Sequence, residues 1–184
     1  MLQLMKRRIA KRRMLTIRAM RRLGRKQDGA AAVEFGMVAA PFLFLVFAIL
    51  ETAIVLFAGQ TLETAVSDSS RLIMTGQAQT KGLNQATFKT AVCARIFGLF
   101  DCANGVFVDV KTYANFGSVD LSPPLDASGN FQVNQTYQPG GPGDIVVVRL
   151  FYQWPIYLSL LQNMAGNKRL LVATAAFRNE PYTP

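Results

Sequence analysis

An apolar run from residue 35 to residue 58, in which Glu51 is the only ionisable residue, restricts this chain more than any other feature. As an α-helix these 24 residues would rise about 36 Å, which exceeds the ~30 Å hydrocarbon core of a bilayer. Their Leu, Ile, Phe and Val side chains contribute roughly −4 to −8 kcal/mol to insertion, whereas one central acid costs about 3 kcal/mol. We therefore predict a transmembrane helix; the alternative is a buried helix of a soluble protein.

Positive charge precedes this run. Residues 1–28 hold eleven of the 20 Lys and Arg residues and one of the 11 acids, so they carry +10 and the rest of the chain −1, against +9 in total. Few basic residues follow the run, so the positive-inside rule predicts a cytoplasmic N-terminus and an extracytoplasmic C-terminal region. A cleaved secretory signal and a twin-arginine signal fit poorly, because the apolar run is too long and the arginine pairs lack the flanking pattern.

The composition argues against catalysis and against nucleic-acid binding. The chain has no histidine, which removes the commonest general base and the commonest transition-metal ligand. Its two cysteines, nine residues apart, match neither zinc-ligand nor redox CxxC spacing. The basic leader has no aromatic residue that would stack on a base. We predict no enzyme activity, no metal, no cofactor and no nucleic-acid partner; a membrane-tethered enzyme is the alternative.

Helical periodicity continues past the apolar run. Apolar or small residues recur there every three or four positions: Leu62, Ala65, Val66, Ser69, Leu72 and Ile73. We predict one helix over residues 30–75, with a transmembrane first half and an amphipathic second half that needs a partner surface. Pro41 removes one helical hydrogen bond and permits a kink, which membrane helices tolerate.

The remainder of the chain predicts an α+β arrangement. Asn84 is placed to cap a helix that ends near Gly98. Strands are predicted in three stretches where apolar residues alternate or run together: 106–113, 145–152 and 170–177. Trp154-Pro155 is expected to break the second strand, and a short helix is expected to follow it up to Met164.

Residues 117–143 are rich in Gly and Pro and predict a long loop, with a short strand near 131–133. A long N-terminal helix laid over a small antiparallel sheet would bury both the amphipathic stripe and the apolar strand faces. The predicted organisation has three parts: a basic cytoplasmic leader (1–29), a transmembrane helix (30–58) and a periplasmic α+β domain (59–184).

Residues 29–35, with the sequence GAAAVEF, follow the basic leader and open the apolar helix. This segment resembles the processing site of type IV prepilins, and more closely the TadE family of the tight-adherence (Tad) pilus. The resemblance implies a pilin-like fold and cleavage between Gly29 and Ala30 by an aspartic prepilin peptidase on the cytoplasmic face. Glycine before the bond lets the backbone lie extended in a protease cleft, and the leader would lie on the anionic inner leaflet.

Two acids of the predicted helix are expected to make assembly contacts, because an intramembrane carboxylate is costly and marks a functional site by default. The resemblance implies that Glu34, with Phe35 beside it, pairs with the N-terminal amine of a neighbouring subunit. The alternative is that Glu34 only stabilises the helix N-terminus. Glu51 lies 17 residues further on, about 100° round the helix, and is either at the outer membrane interface or in a subunit contact.

The resemblance extends beyond this segment. The stretch AILETAIVLFAGQTLETAVSDSSRLIMTGQ is similar to the TadE continuation, in which a second acid leads into a polar helix with small residues and an arginine. The segments YQWP and AAFRNEPYTP are similar to alphaproteobacterial members of the family. The leader is longer than the family pattern, so Met5, Met14 and Met20 are alternative starts.

Cys93 and Cys102 fall outside the membrane in the predicted topology. An oxidising periplasm favours a disulfide between them. Closing this short loop would stabilise the fold by roughly 2.5–3 kcal/mol in the chain-entropy model. The alternative is a pair of buried free thiols.

The resemblance implies a minor pilin or pseudopilin that acts in Tad (Flp) pilus assembly and surface adhesion by helix packing. It would be a single-pass protein of the bacterial inner membrane. Its expected partners are the prepilin peptidase, other Tad pilins and pilus assembly proteins, and membrane lipids. The alternative is an unprocessed, membrane-anchored periplasmic assembly factor that never enters a filament.

Overall fold

The computed structural model describes residues 28–96, 98, 101–132, 134–158, 162 and 166–182. The chain divides into two compact units, Met1–Phe47 and Ala48–Pro184. The elements in chain order are the helices α1 (Asp28–Met74), α2 (Gln77–Thr80), α3 (Gln85–Cys93) and α4 (Cys102–Gly105), then β1 (Val106–Tyr113), a 3₁₀ turn (Phe116–Ser118), β2 (Ile145–Pro155) and β3 (Lys168–Arg178). The leader before Asp28, with its alternative starts Met5, Met14 and Met20, and most of the helix predicted up to Met164 lie outside the described residues.

The long helix α1 begins and ends within two residues of its predicted bounds, with Pro41 in its interior. It is long and apolar enough to cross a membrane, with a mean hydropathy of 2.5 over its most apolar window. Within the described part of the chain no other helix meets those criteria. The prediction of a single apolar N-terminal helix that suits a membrane span is therefore confirmed.

In the second unit, α1 buries one stripe of side chains against the sheet. The buried members of the stripe recur at three- and four-residue steps: Val55, Ala58, Leu62, Ala65, Val66, Ser69 and Ile73. The predicted stripe is confirmed, except that Leu72 is only partly buried. Gly76 follows the helix in a left-handed conformation (φ 76°) with the ring of Tyr182 against it, so a side chain there would clash. The helix ends where the backbone needs glycine.

The three strands form one antiparallel sheet in the order β1-β2-β3. Val108 of β1 pairs with Leu150 of β2, and Leu150 pairs with Ala173 of β3. Because strand side chains alternate between faces, one apolar face meets the stripe of α1 and the buried side chains Phe88 and Val92 of α3. The predicted α+β arrangement, a long helix packed on a small antiparallel sheet, is confirmed.

A loop covers part of the other face of the sheet. The ring of Phe131 lies 5.1 Å from that of Phe107 and 5.8 Å from that of Phe151, measured between centroids. Buried Asp109 accepts hydrogen bonds from the backbone N–H and the hydroxyl of Thr136, at 3.2 and 2.5 Å. Its other carboxylate oxygen lies 3.5 Å from the guanidinium of Arg149. The loop is therefore held by aromatic packing and by a buried ion pair.

Several predicted boundaries were wrong. β2 continues through Trp154 and Pro155 instead of breaking there, since proline lacks only an N–H and can occupy the last position of a strand. Trp154 is buried and pairs with Arg169 across the ladder. α3 starts after the predicted cap Asn84, which shares a capping box with Thr87, but ends at Cys93 and not near Gly98.

In the long Gly- and Pro-rich loop, the strand predicted near 131–133 is reduced to an isolated bridge between Leu125 and Phe131. Residue 133 lies outside the described residues.

Candidate assembly site on the N-terminal helix

The predicted processing site lies in the first turn of α1. Gly29 and Ala30 are both helical and exposed. A side chain at Gly29 would meet nothing within 4 Å, so no packing in the described chain requires glycine at this position. The first backbone N–H groups of a helix have no partner within it, so the first turn is its least stable part.

Glu34 and Phe35 lie one turn further along α1 and both are exposed. Phe35 has 74 % of its surface exposed. Glu34 makes no hydrogen bond or ion pair with the residues that the structure describes. The two predicted contact residues are therefore accessible in this unit, and the contact itself stays a prediction.

Large apolar side chains surround α1 in the first unit. The exposed ones are Val33, Phe35, Met37, Val38, Phe42, Leu43, Phe44, Leu45 and Phe47. Four of them are consecutive, at residues 42–45, and successive helical residues point about 100° apart. This surface is consequently apolar on all sides. A helix of that kind is stable only where lipid or other helices cover it.

Glu51, in the second unit, has an intramolecular partner. Its carboxylate accepts hydrogen bonds from the backbone N–H groups of Tyr157 and Leu158, at 2.7 and 3.2 Å. These residues lie two and three positions after the end of β2 at Pro155. Glu51 thus fixes the chain beyond β2 to α1, a role that neither of its predicted alternatives included. Sequence reasoning missed it because the partners are backbone groups more than one hundred residues away.

An open cavity of about 460 Å³ lies beside Glu51. Among the described residues, its walls combine that acid with one hydroxyl, three apolar and two basic side chains: Thr52, Val55, Ile156, Leu170, Lys168 and Arg169. The two basic residues were not among the site residues predicted from the sequence. A signal was present, because Lys168 and Arg169 are the only adjacent pair of basic residues after the apolar run.

A disulfide joins Cys93, the last residue of α3, to Cys102, the first residue of α4, with the two Cα atoms 5.6 Å apart. Beside it, Asp101 caps α4 through a hydrogen bond from the backbone N–H of Asn104. Hydrogen bonds from the side chain and backbone of Asn104 lower the pKa of Asp101 below its ordinary value. The junction between α3 and α4 is therefore fixed both covalently and by a cap.

The described residues include no group of three or more His, Cys, Asp or Glu side chains that would hold a metal ion. The buried Asp109–Arg149 pair lies under the loop that it anchors and has a structural role. The predictions of no catalysis, no metal and no cofactor stay predictions.

The organisation of α1 is the one expected from the sequence. An exposed acid, Glu34, lies near its start among apolar side chains, and its second half is packed on the sheet. Residues 29–71 match the TadE-like protein family. The match confirms the resemblance drawn from the sequence and covers about a quarter of the chain, including Glu34 and Glu51. None of the curated proteins and none of the solved structures matches the chain. The TadE-like match suggests involvement in Tad pilus systems. The three strands lie outside the matched residues.

Proposed function

We propose that this protein is a minor pilin or pseudopilin of the Tad (Flp) pilus. It acts in pilus assembly and surface adhesion by packing its N-terminal helix against helices of other subunits, without catalysis or a cofactor. The observation that carries the proposal is the coincidence of the TadE-like segment with α1. That helix is apolar on all sides in the first unit and packs on the antiparallel sheet in the second.

The apolar surface of α1 supports an anchor that also serves as a packing surface. In the bilayer, lipid covers such side chains, and helices associate there through close packing and a few polar contacts. Exposed apolar residues continue into the second unit on the sides of α1 that the sheet does not cover, at Ile54, Leu56 and Phe57. Neighbouring subunits would cover the same residues in a filament.

Glu34 is the residue for which the proposal requires a partner outside the chain. Cleavage between Gly29 and Ala30 would create a new amine at Ala30 and make Glu34 the fifth residue of the mature chain. An exposed carboxylate in an apolar surround is costly unless it is paired. A salt bridge to the amine of a neighbouring subunit would supply the pair and set the register between helices.

The alternative, an unprocessed assembly factor, is supported by the backbone around the cleavage site. Gly29 and Ala30 are helical, whereas a protease cleft takes an extended backbone. Cleavage therefore requires the first turn of α1 to unwind. Few hydrogen bonds are lost there, since the first turn has unpaired N–H groups, so the proposal of processing is compatible with this geometry.

We propose that the protein spans the bacterial inner membrane once, with its N-terminus in the cytoplasm and residues 59–184 in the periplasm. The basic residues before α1 support this orientation by the positive-inside rule. The disulfide between Cys93 and Cys102 also supports it, because disulfides persist in oxidising compartments such as the periplasm.

N-terminal sequencing of the protein from a pilus-forming host tests processing. The expected result is a chain that starts at Ala30 and is recovered with sheared pili. Glu34→Gln is expected to lower recovery in the sheared fraction while leaving the amount in the membrane unchanged. The matched control is Glu63→Gln, an exposed acid on the same helix.

A chain that keeps its leader in the presence of active prepilin peptidase would contradict processing. If that chain also stays in the membrane fraction after shearing, and Glu34→Gln has no effect, the anchored assembly factor replaces the pilin. Hydrolase activity in the purified protein would instead revive the enzyme alternative.

A further inference from the structure

The contact of Glu51 with the chain after β2 marks how far α1 enters the hydrocarbon. Tyr157 and Leu158 follow the end of β2 without regular secondary structure, and irregular backbone exposed to lipid does not occur inside the hydrocarbon. Because Glu51 binds this segment directly, the hydrocarbon must end by about residue 51. Residues 31–50 then remain for the span, and as a helix they rise about 30 Å, the thickness of a hydrocarbon core.

The surface next to Glu51 would therefore lie at the level of the lipid headgroups. Tyr157 is 73 % exposed there, and Lys168 and Arg169 at the start of β3 are exposed as well. Aromatic residues with a polar tip are enriched at membrane interfaces. Lysine and arginine extend their apolar stems along such a surface and place their charge among the headgroups.

The charges of this surface favour an anion. Among the described residues, Glu51 is the only acid that lines the adjoining cavity, and its two oxygens are occupied by backbone N–H groups. Lys168 donates to the neutral side chain of Gln153. Within the described residues, neither Lys168 nor Arg169 forms an ion pair with an acid.

We propose that Tyr157, Lys168 and Arg169 form a binding surface for the headgroups of anionic phospholipids. The lipid phosphate would accept hydrogen bonds from the ammonium and guanidinium groups, and the tyrosine ring would lie at the boundary of the acyl chains. The surface holds the end of the sheet against the bilayer where Glu51 joins it to α1. This inference rests on the membrane anchoring proposed above.

Trp154 provides a local test, since it is the only tryptophan of the chain and pairs with Arg169 across the ladder. The full chain is reconstituted in phosphatidylcholine bilayers that contain equal fractions of brominated phosphatidylglycerol or brominated phosphatidylcholine. Brominated chains quench tryptophan at short range, so anionic lipid bound by the basic leader does not contribute. The expected result is stronger quenching by the brominated phosphatidylglycerol.

The double variant Lys168→Gln/Arg169→Gln is expected to remove this difference, because each cation at an anionic surface strengthens binding about fivefold. Arg169→Lys keeps the charge and should keep most of the preference. Lys81→Gln, a change at an exposed lysine beyond the end of α1, is the matched control and should have no effect.

Equal quenching of the unmodified chain by the two lipids would overturn the headgroup site, and so would a preference that survives the double variant. Absence of quenching by either lipid would place Trp154 away from the bilayer and overturn it as well. Flotation with pure phosphatidylcholine vesicles tests anchoring separately: a chain that fails to float contradicts the anchor, whereas one that floats but shows equal quenching contradicts the headgroup site alone.

Discussion

Replacing Glu51 should release the segment after β2 from α1. Glu51→Ala removes the acceptor for two backbone N–H groups, those of Tyr157 and Leu158. A hydrogen bond to a charged group contributes about 1.5–3 kcal/mol. Because Glu51 is only partly buried, we take the lower end of that range, about 1.5 kcal/mol, for each bond and expect a local loss of about 3 kcal/mol. Glu51→Gln keeps one acceptor oxygen, so about 1.5 kcal/mol should be lost.

Amide hydrogen exchange of the full chain in detergent micelles measures this loss directly. A change of about 3 kcal/mol corresponds to about 140-fold lower protection of the Tyr157 and Leu158 amides. Glu63→Gln, at an exposed acid on the same helix, should leave both amides unchanged. If Glu51→Ala and Glu51→Gln also leave them unchanged, Glu51 does not hold this segment, and the two roles predicted from the sequence, at the outer membrane interface or in a subunit contact, remain.

Three further changes test the packed unit. Asp109→Ala should lower the free energy of unfolding by about 3–5 kcal/mol, because it leaves the guanidinium of Arg149 buried without its carboxylate; urea titration measures this loss. The double change Cys93→Ser/Cys102→Ser should cost roughly 2.5–3 kcal/mol by the same titration. Burial raises the pKa of Tyr137 to about 12. The contribution of its neutral side chain to the free energy of unfolding is therefore complete below the unfolded pKa near 10 and is lost as the pH rises through 12. Tyr137→Phe should therefore shift alkaline unfolding, followed by circular dichroism, to higher pH.

Urea titrations that give equal unfolding free energies for the native chain and the Asp109 or cysteine variants would contradict those roles. An alkaline transition that Tyr137→Phe leaves in place would exclude that tyrosine as its cause.

The elements that the sequence predicted well are those with a strong periodic pattern. The stripe from Leu62 to Ile73 follows a helical repeat, and it is buried because the sheet supplies a matching apolar face. The strand at 106–113 was predicted with its observed bounds, because Val106, Val108 and Val110 alternate with residues of the other face. Local patterns of this kind depend on a few neighbours and can be read from one sequence.

Features that depend on distant partners could not be predicted. Asp109 reads as an outward-facing strand residue, yet it is buried because a loop from residues 114–137 returns over that face and supplies Thr136. Trp154 reads as the end of a strand next to proline, yet the core and the pairing with β3 extend the strand beyond it. In both cases tertiary packing overrides the local signal.

Glu34 and Glu51 of α1 illustrate the same limit and separate two roles. Glu34 has no partner in the described residues, whereas Glu51 uses both carboxylate oxygens within its own chain. A carboxylate that is already paired gains little from a second partner, so a subunit contact through charge is more favourable at Glu34. It follows that substitution at Glu51 should alter the isolated protein, whereas substitution at Glu34 should alter only its assembly. Equal effects of the two changes on both properties would contradict this division.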